Sequence, residues 1–197
     1  MKALLKILAC LCARISVLPL FLSYLLLRPI LGTRRSFRSS SEWLSSIPGL
    51  LGEYIRREFY RLTLEKCSSS CCISYGCIIA SPESRIGENV YIGPYSVLGS
   101  VNIGKNSLLA SRVSIVSGTR QHGISALDIP IREQEGEYKQ VTIGENCWIG
   151  EGAIIAADIG DNSILAAGGV AVKPIGESVI AGGNPAEVIR QRSPSSP

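Results

Sequence analysis

Residues 86–100 read Ile86-Gly-Glu-Asn-Val-Tyr91, Ile92-Gly-Pro-Tyr-Ser-Val97 and Leu98-Gly-Ser100, an aliphatic residue followed by glycine at every sixth position. After a slip of one residue the pattern continues as Ile103-Gly-Lys-Asn-Ser-Leu108 and Leu109-Ala-Ser-Arg-Val-Ser114. It returns as Ile143-Gly-Glu-Asn-Cys-Trp148, Ile149-Gly-Glu-Gly-Ala-Ile154, Ile159-Gly-Asp-Asn-Ser-Ile164 and Leu165-Ala-Ala-Gly-Gly-Val170. A short fixed period marks a solenoid. One short strand and one turn consume six residues, so three units close a triangular coil of about 18 residues. The aliphatic residue points inward and stacks on its equivalent one coil away. Glycine or asparagine serves the corners, where the backbone turns left-handed. Stacked coils pair their strands in parallel, and the ends need caps. No helical period separates the runs, which excludes a doubly wound α/β fold.

The rest of the chain is bounded by composition. Aromatic residues make up only 6% of its 197 residues, which suits a thin core of stacked β-branched layers. A mean hydropathy of +0.24 is too apolar for a disordered chain. There is one histidine, so no metal site needing two or three histidines from one chain can form. The seven cysteines include a cluster at Cys67, Cys71, Cys72 and Cys77 without the paired CxxC spacing of a zinc site. They read as reduced thiols acting as small hydrophobes. No metal is expected.

Residues 1–66 carry 11 Lys/Arg and 4 Asp/Glu, a surplus of +7, while residues 67–197 carry 9 and 12, a deficit of −3. The basic part is also the most apolar part. That pairing points to a membrane surface and not to nucleic acid. Residues 1–32 read as a hydrophobic basic anchor. Their longest uncharged run, from Ile15 to Leu27, is short of the ~20 residues of a spanning helix. A monotopic or re-entrant helix at an anionic leaflet fits first, with Lys2, Arg28, Arg34, Arg35 and Arg38 flanking it and Lys6 and Arg14 interrupting its upstream part. A tilted spanning helix with a snorkelling Arg14 comes second, and a cleaved signal peptide third. A buried helix of a soluble domain is disfavoured, since nothing downstream looks able to receive it. Residues 33–48, rich in serine and arginine, read as a linker. Residues 49–66 read as an amphipathic helix with Leu51, Ile55, Phe59 and Leu62 on one stripe.

The repeat domain is expected over residues 67–185, with a loop at 119–140 and a tail at 186–197. The loop asks for a purpose. It holds the only histidine, His122, with Arg120, Asp128, Arg132 and Glu133. An imidazole suits a general base for an alcohol acceptor.

The repeats resemble the left-handed parallel β-helix of the hexapeptide-repeat acyltransferases, over about residues 73–190. Within that family the chain is similar to galactoside, maltose and xenobiotic acetyltransferases and to exopolysaccharide and O-antigen O-acetyltransferases. The resemblance implies an all-β fold and a homotrimer whose site lies between subunits. It implies acetyl-CoA as co-substrate. In the galactoside and xenobiotic branch a catalytic histidine follows a glycine by four residues as the chain leaves the coil, and Gly118-Thr-Arg-Gln-His122 has that spacing. His122 would take the proton from an acceptor hydroxyl, the oxygen would attack the thioester carbonyl, and CoA thiolate would leave. Trp148 would pack on the pantetheine arm, with Ala167 and Gly168 letting it approach the backbone. Lys173 and Arg190 would meet CoA phosphate. Arg120, Asp128 and Glu133 are assigned to the acceptor or to orienting His122. No G-x-S-x-G elbow supports an acyl-enzyme.

The resulting expectation is a membrane-associated O-acetyltransferase acting on a sugar or lipid-linked saccharide at the cytoplasmic face of a bacterial inner membrane. The rivals are an acetyltransferase for a small soluble acceptor such as serine, maltose or an antibiotic, and a non-catalytic scaffold at the membrane.

Overall fold

The computed structural model describes residues 2–193, with side chains from residue 12 onward. The side chains of Lys2, Lys6 and Cys10 and the last four residues of the expected tail lie outside the described residues. From Lys66 the chain winds into a left-handed parallel β-helix of about six coils. Face 1 stacks Lys66–Cys67, Arg85–Ile86, Val101–Ile103 and Val141–Ile143. Face 2 runs from Cys72–Ile73 through Tyr91–Ile92, Leu108–Leu109, Trp148–Ile149 and Ile164–Leu165 to Val179–Gly183. Face 3 runs from Ile78–Ile79 through Val97–Leu98, Ser114–Ile115 and Ile154–Ile155 to Val170–Ala171.

From Cys72 onward the second residue of each two-residue strand points inward, and in Val101–Ile103 and Val141–Ile143 the first and third do. Ile86, Ile103 and Ile143 stack on face 1, Ile73, Ile92, Leu109, Ile149 and Leu165 on face 2, and Ile79, Leu98, Ile115 and Ile155 on face 3, all at most 2% exposed. Each such side chain contributes about 1.5–3 kcal/mol by burial.

The coils are not uniform, and the departure from a constant length falls at one place. Between faces 1 and 2, and between faces 2 and 3, inward residues are always six apart, as in Ile103, Leu109 and Ile115. The corner from face 3 back to face 1 takes seven residues from Ile79 to Ile86, five from Leu98 to Ile103, and 28 from Ile115 to Ile143. It takes four from Ile155 to Ile159 and four from Ala171 to Ile175. These two tight corners are Ala156-Ala-Asp158 and Val172-Lys-Pro174.

Two polar devices hold the other corners. Asn89, Asn106, Asn146 and Asn162 adopt φ between +54° and +61°, and their amides stack across coils: Asn89 donates to Asn106 at 3.1 Å and Asn146 to Asn162 at 2.9 Å. Buried serines knit coils together. Ser107 donates to the Gly144 carbonyl at 2.7 Å and accepts from the Cys147 N–H at 3.0 Å.

Three helices precede the coil: α1 (Lys2–Leu31), α2 (Thr33–Ser45) and α3 (Gly49–Thr63). Residues 33–48 are therefore not a linker. Their serines, read as turn formers, are absorbed into α2: Ser36 and Ser40 donate back to Gly32 and Ser36 carbonyls, and Ser41 donates or accepts across to Tyr60 at 2.7 Å. The expectation that nothing receives the N-terminal helix also fails. Ala13, Val17 and Tyr24 of α1 are buried, and Tyr24 joins Phe37 and Phe59 in an aromatic cluster with centroids about 6 Å apart. Arg14 pairs with the buried Glu58 at 3.0 Å. The opposite stripe of α1, Ile15, Leu18, Leu22, Leu26 and Ile30, stays exposed.

Arg56 of α3 fastens this cap to the first coil. It is 0% exposed and donates to the carbonyls of Ile73 at 2.9 Å, Ile47 at 2.7 Å and Leu44 at 3.2 Å. At the other end, residues 186–191 are not a loose tail. Ala186–Gln191 folds back antiparallel on Val179–Gly183 and closes the last rung of face 2. Backbone groups of that terminal rung would otherwise face solvent unpaired.

Candidate active site

The irregular corner carries the long loop. Gly118, at φ +86°, turns the chain out of the coil. The loop's two legs then run side by side: the Lys139 N–H donates to the Ser117 carbonyl at 3.0 Å and the Glu137 N–H to the Arg120 carbonyl at 2.7 Å. Gly136 permits the approach, since a Cβ there would lie 2.1 Å from the Gln121 oxygen. Gln134 pins the tip, its amide donating to the carbonyls of Ala126 at 2.7 Å and Ile129 at 2.8 Å.

His122 lies on the outgoing leg, exposed, beside a cavity of about 520 Å³ that it lines with Thr119, Arg120, Glu135 and Glu137. Arg120 also reaches a second cavity of about 270 Å³ at the loop's base, formed with Gly118, Lys139, Asp158, Val172 and Pro174. Lys173 is exposed on that same corner, between two of the lining residues. The structure thus gathers His122, Arg120 and Lys173 around one corner. It does not bring Asp128 or Glu133 to His122. Asp128 is exposed near the tip, and Glu133 pairs with its neighbour Arg132 at 3.3 Å. Within the chain His122 has no hydrogen-bond partner among the described residues.

The other expected residues lie elsewhere. Trp148, 54% exposed, projects from face 2, in register with Tyr91, Leu108 and Ile164 in an outward apolar column. Arg190 is on the same sheet, opposite Ile180. Ala167 and Gly168 form the turn that leaves this face, with Gly168 at φ +68° and open space around it. In a triangular prism, face 2 is opposite the corner between faces 3 and 1. One chain therefore splits the set in two: His122, Arg120 and Lys173 on the loop corner, and Trp148, Ala167, Gly168 and Arg190 on and beside the far face.

Two contributions were not read from the sequence. Gln134 orders the loop, and the loop is apolar at its surface, with Ile124 and Ile131 exposed and Leu127 at 100%. The aliphatic residues were visible, but only the fold shows that nothing among the described residues covers them. Among the described residues, no group of three or more His, Cys, Asp or Glu side chains is placed to hold a metal.

Similarity to known proteins covers the coil. The family described as "Hexapeptide repeat of succinyl-transferase" matches residues 84–116 and 140–172, on either side of the loop. A Dictyostelium discoideum protein provisionally named an acetyltransferase is 42% identical over 113 residues, 54% of this chain and 57% of that protein. A Saccharomyces cerevisiae protein of the same provisional name is 43% identical over 112 residues, 54% of this chain and 55% of that one. The chain thus spans somewhat more than half the length of these relatives. Among solved structures, a maltose O-acetyltransferase from Clostridium difficile 630 superposes with a TM-score of 0.69 at 27% identity, covering 82% of this chain and 87% of its own. A galactoside acetyltransferase in complex with coenzyme A has the same fold, with a TM-score of 0.61 at 22% identity over 83% and 84% of the two chains. The hexapeptide-repeat model thus matches this chain on both sides of the loop, and the coil is similar to proteins named as acetyltransferases.

Proposed function

We propose that this chain is an acetyl-CoA-dependent O-acetyltransferase whose site is completed by a second copy of the chain. The observation that carries the reading is the division just described. A histidine suited to deprotonate a hydroxyl sits on a projecting corner, while the face suited to a CoA thioester lies opposite. Placing the corner of one copy on face 2 of the next unites them. Repeating that operation three times closes a ring, the homotrimer. The same contact covers Leu127 and Ile124 of the loop and the column of Tyr91, Leu108 and Trp148, apolar surface that otherwise faces water.

In this arrangement His122 accepts the proton of an acceptor hydroxyl. The hydroxyl oxygen attacks the acetyl carbonyl, and the tetrahedral oxyanion is stabilised by backbone N–H groups at the coil edge. The carbon–sulfur bond then breaks and CoA leaves as the thiol, taking the proton from the imidazolium. Trp148 packs on the pantetheine arm, Ala167 and Gly168 let that arm lie close to the coil, and Lys173 and Arg190 supply cations to the CoA phosphates. Arg120 lines the acceptor side.

The acceptor we favour is a sugar hydroxyl on a saccharide held at the cytoplasmic face of a membrane, as in bacterial exopolysaccharide or O-antigen synthesis. The segment Cys12–Leu31 is apolar and long enough to cross a membrane, and only Ala13, Val17 and Tyr24 within it are buried. Since one stripe of α1 packs on α3, a helix lying in the interface with its other stripe in lipid suits it better than a crossing one. The likeness to a maltose O-acetyltransferase favours a second reading, a small soluble sugar. The test is CoA release from acetyl-CoA with maltose and with a membrane extract of lipid-linked saccharides as acceptors. His122→Ala is expected to lower turnover about 10²–10⁴-fold while leaving acetyl-CoA binding and melting temperature nearly unchanged. Wild-type turnover in the folded variant would end this mechanism.

A further inference from the structure

The corner that carries the loop has a third concavity that none of the residues assigned above lines. It measures about 400 Å³ and lies where α2 passes the coil. Arg34, Arg35 and Arg38 line one wall, and Ser81, Ser117 and Tyr138 the other. Ser117 immediately precedes the loop's exit glycine, so this cavity and the His122 loop share a root.

The charges facing it are few. Arg34 meets Glu83 at 3.4 Å and Arg38 meets Glu42 at 2.9 Å, both as exposed pairs that bind weakly. Arg35 has no acidic partner among the described residues. Three guanidinium groups therefore face hydroxyl groups across a cavity with two partly exposed carboxylates at its edge. Guanidinium forks match the oxygens of a phosphate, and the Ser117 and Tyr138 hydroxyls add neutral donors, the Ser81 hydroxyl already donating to Glu83.

The cavity's place supplies the second half of the argument. Arg34 is three residues beyond the end of α1, whose exposed stripe ends in Leu26 and Ile30. With α1 lying in the interface, the arginines that follow its exposed stripe would sit at the depth of the lipid headgroups. We infer that this cavity binds the phosphate of a phosphate-bearing lipid seated beside α1. This rests on the reading of α1 as membrane-seated. It deepens the proposed function by naming the group that anchors a lipid-linked acceptor at the root of the catalytic loop.

The test uses the full chain and vesicle co-sedimentation. Three vesicles are compared: phosphatidylcholine alone, phosphatidylcholine with phosphatidic acid, and phosphatidylcholine with phosphatidylserine matched to the same surface charge. The site predicts binding to all three, strongest for the exposed phosphomonoester of phosphatidic acid. The variant Arg34→Gln/Arg35→Gln/Arg38→Gln should keep its phosphatidylcholine binding and lose the gain on phosphatidic acid, roughly 10²-fold for three charges near a membrane. A control, Arg85→Gln/Arg112→Gln/Arg132→Gln, removes as much charge from elsewhere and should keep the preference. Equal binding to the two anionic vesicles, or a preference that survives the α2 triple variant, overturns the site. Inorganic phosphate that protects the same arginines from a guanidinium-modifying dicarbonyl without any vesicle would make free phosphate the ligand and overturn the lipid. Failure of the wild type to bind phosphatidylcholine at all would instead overturn the membrane reading of α1.

Discussion

Gly104 and Gly176 occupy the same place in the repeat, immediately after an inward isoleucine of face 1, and differ in whether a coil lies above them. A Cβ built on Gly104 would lie 2.6 Å from the Gly144 carbonyl carbon and 2.7 Å from the Glu145 nitrogen, both backbone atoms of the next coil. A Cβ on Gly176 would meet nothing within 4 Å. Neither glycine has a positive φ, so the substitution changes contact and not backbone strain. Gly104→Ala must push two coils apart, an overpacking cost of about 1–3 kcal/mol. Against it stands the gain from a less flexible unfolded chain, about 0.4–1 kcal/mol. Gly176→Ala receives the gain alone. The two variants should differ by about 2 kcal/mol, and at about 2–4 °C per kcal/mol for a chain of this size, by about 4–8 °C in melting temperature. Circular dichroism of the full chain in detergent measures it. Gly104→Ala should melt below the wild type and Gly176→Ala at or above it. Equal melting temperatures, or the reverse order, would refute the reading of glycine as a spacer between coils.

Arg56→Met should cost about 3 kcal/mol, because three buried carbonyls lose a charged donor; in urea the helical signal should then be lost before the β signal, since the cap is released from the first coil. Burial pushes the Cys77 thiol up to about 11. The neutral thiol's contribution is therefore whole below the unfolded value of about 8.5 and is lost as pH rises through about 11. Stability of the wild type should fall across that alkaline window more than that of Cys77→Ala, as read by urea midpoints at pH 8 and 10.5.

The solenoid was legible because its signal is periodic and local. The Ile-Gly starts name the inward residue and the close approach together, and Asn89, Asn106, Asn146 and Asn162 mark left-handed corners. The loop was legible for the same reason, since it opens where the period stops. Coil length was not. The tight corners at Ala156-Ala-Asp158 and Val172-Lys-Pro174 drop residues from a period that the eye continues. Residues 33–48 were misread, and the packing of the first helix was missed, because composition carries no pairing information. Ser36, Ser40 and Ser41 favour turns in isolation, but here their hydroxyls bond within or between helices, and Phe37, Phe59 and Tyr24 supply the core that looked missing. The split of the site between a corner and the opposite face depends on three-dimensional closure, which no local pattern encodes.

A site shared between two copies of the chain can be rebuilt by mixed assembly. Chains carrying His122→Ala and chains carrying Trp148→Ala are co-expressed in equal amounts and purified together, and CoA release is measured at subsaturating acetyl-CoA with an acceptor the wild type uses. Each variant alone should be strongly impaired. In the mixture, a site is intact only where the corner of a Trp148→Ala chain meets face 2 of a His122→Ala chain. Random assembly of a cyclic oligomer makes that about one site in four. The account predicts recovery to about a quarter of wild-type activity. A mixture no more active than the average of the two variants would contradict it.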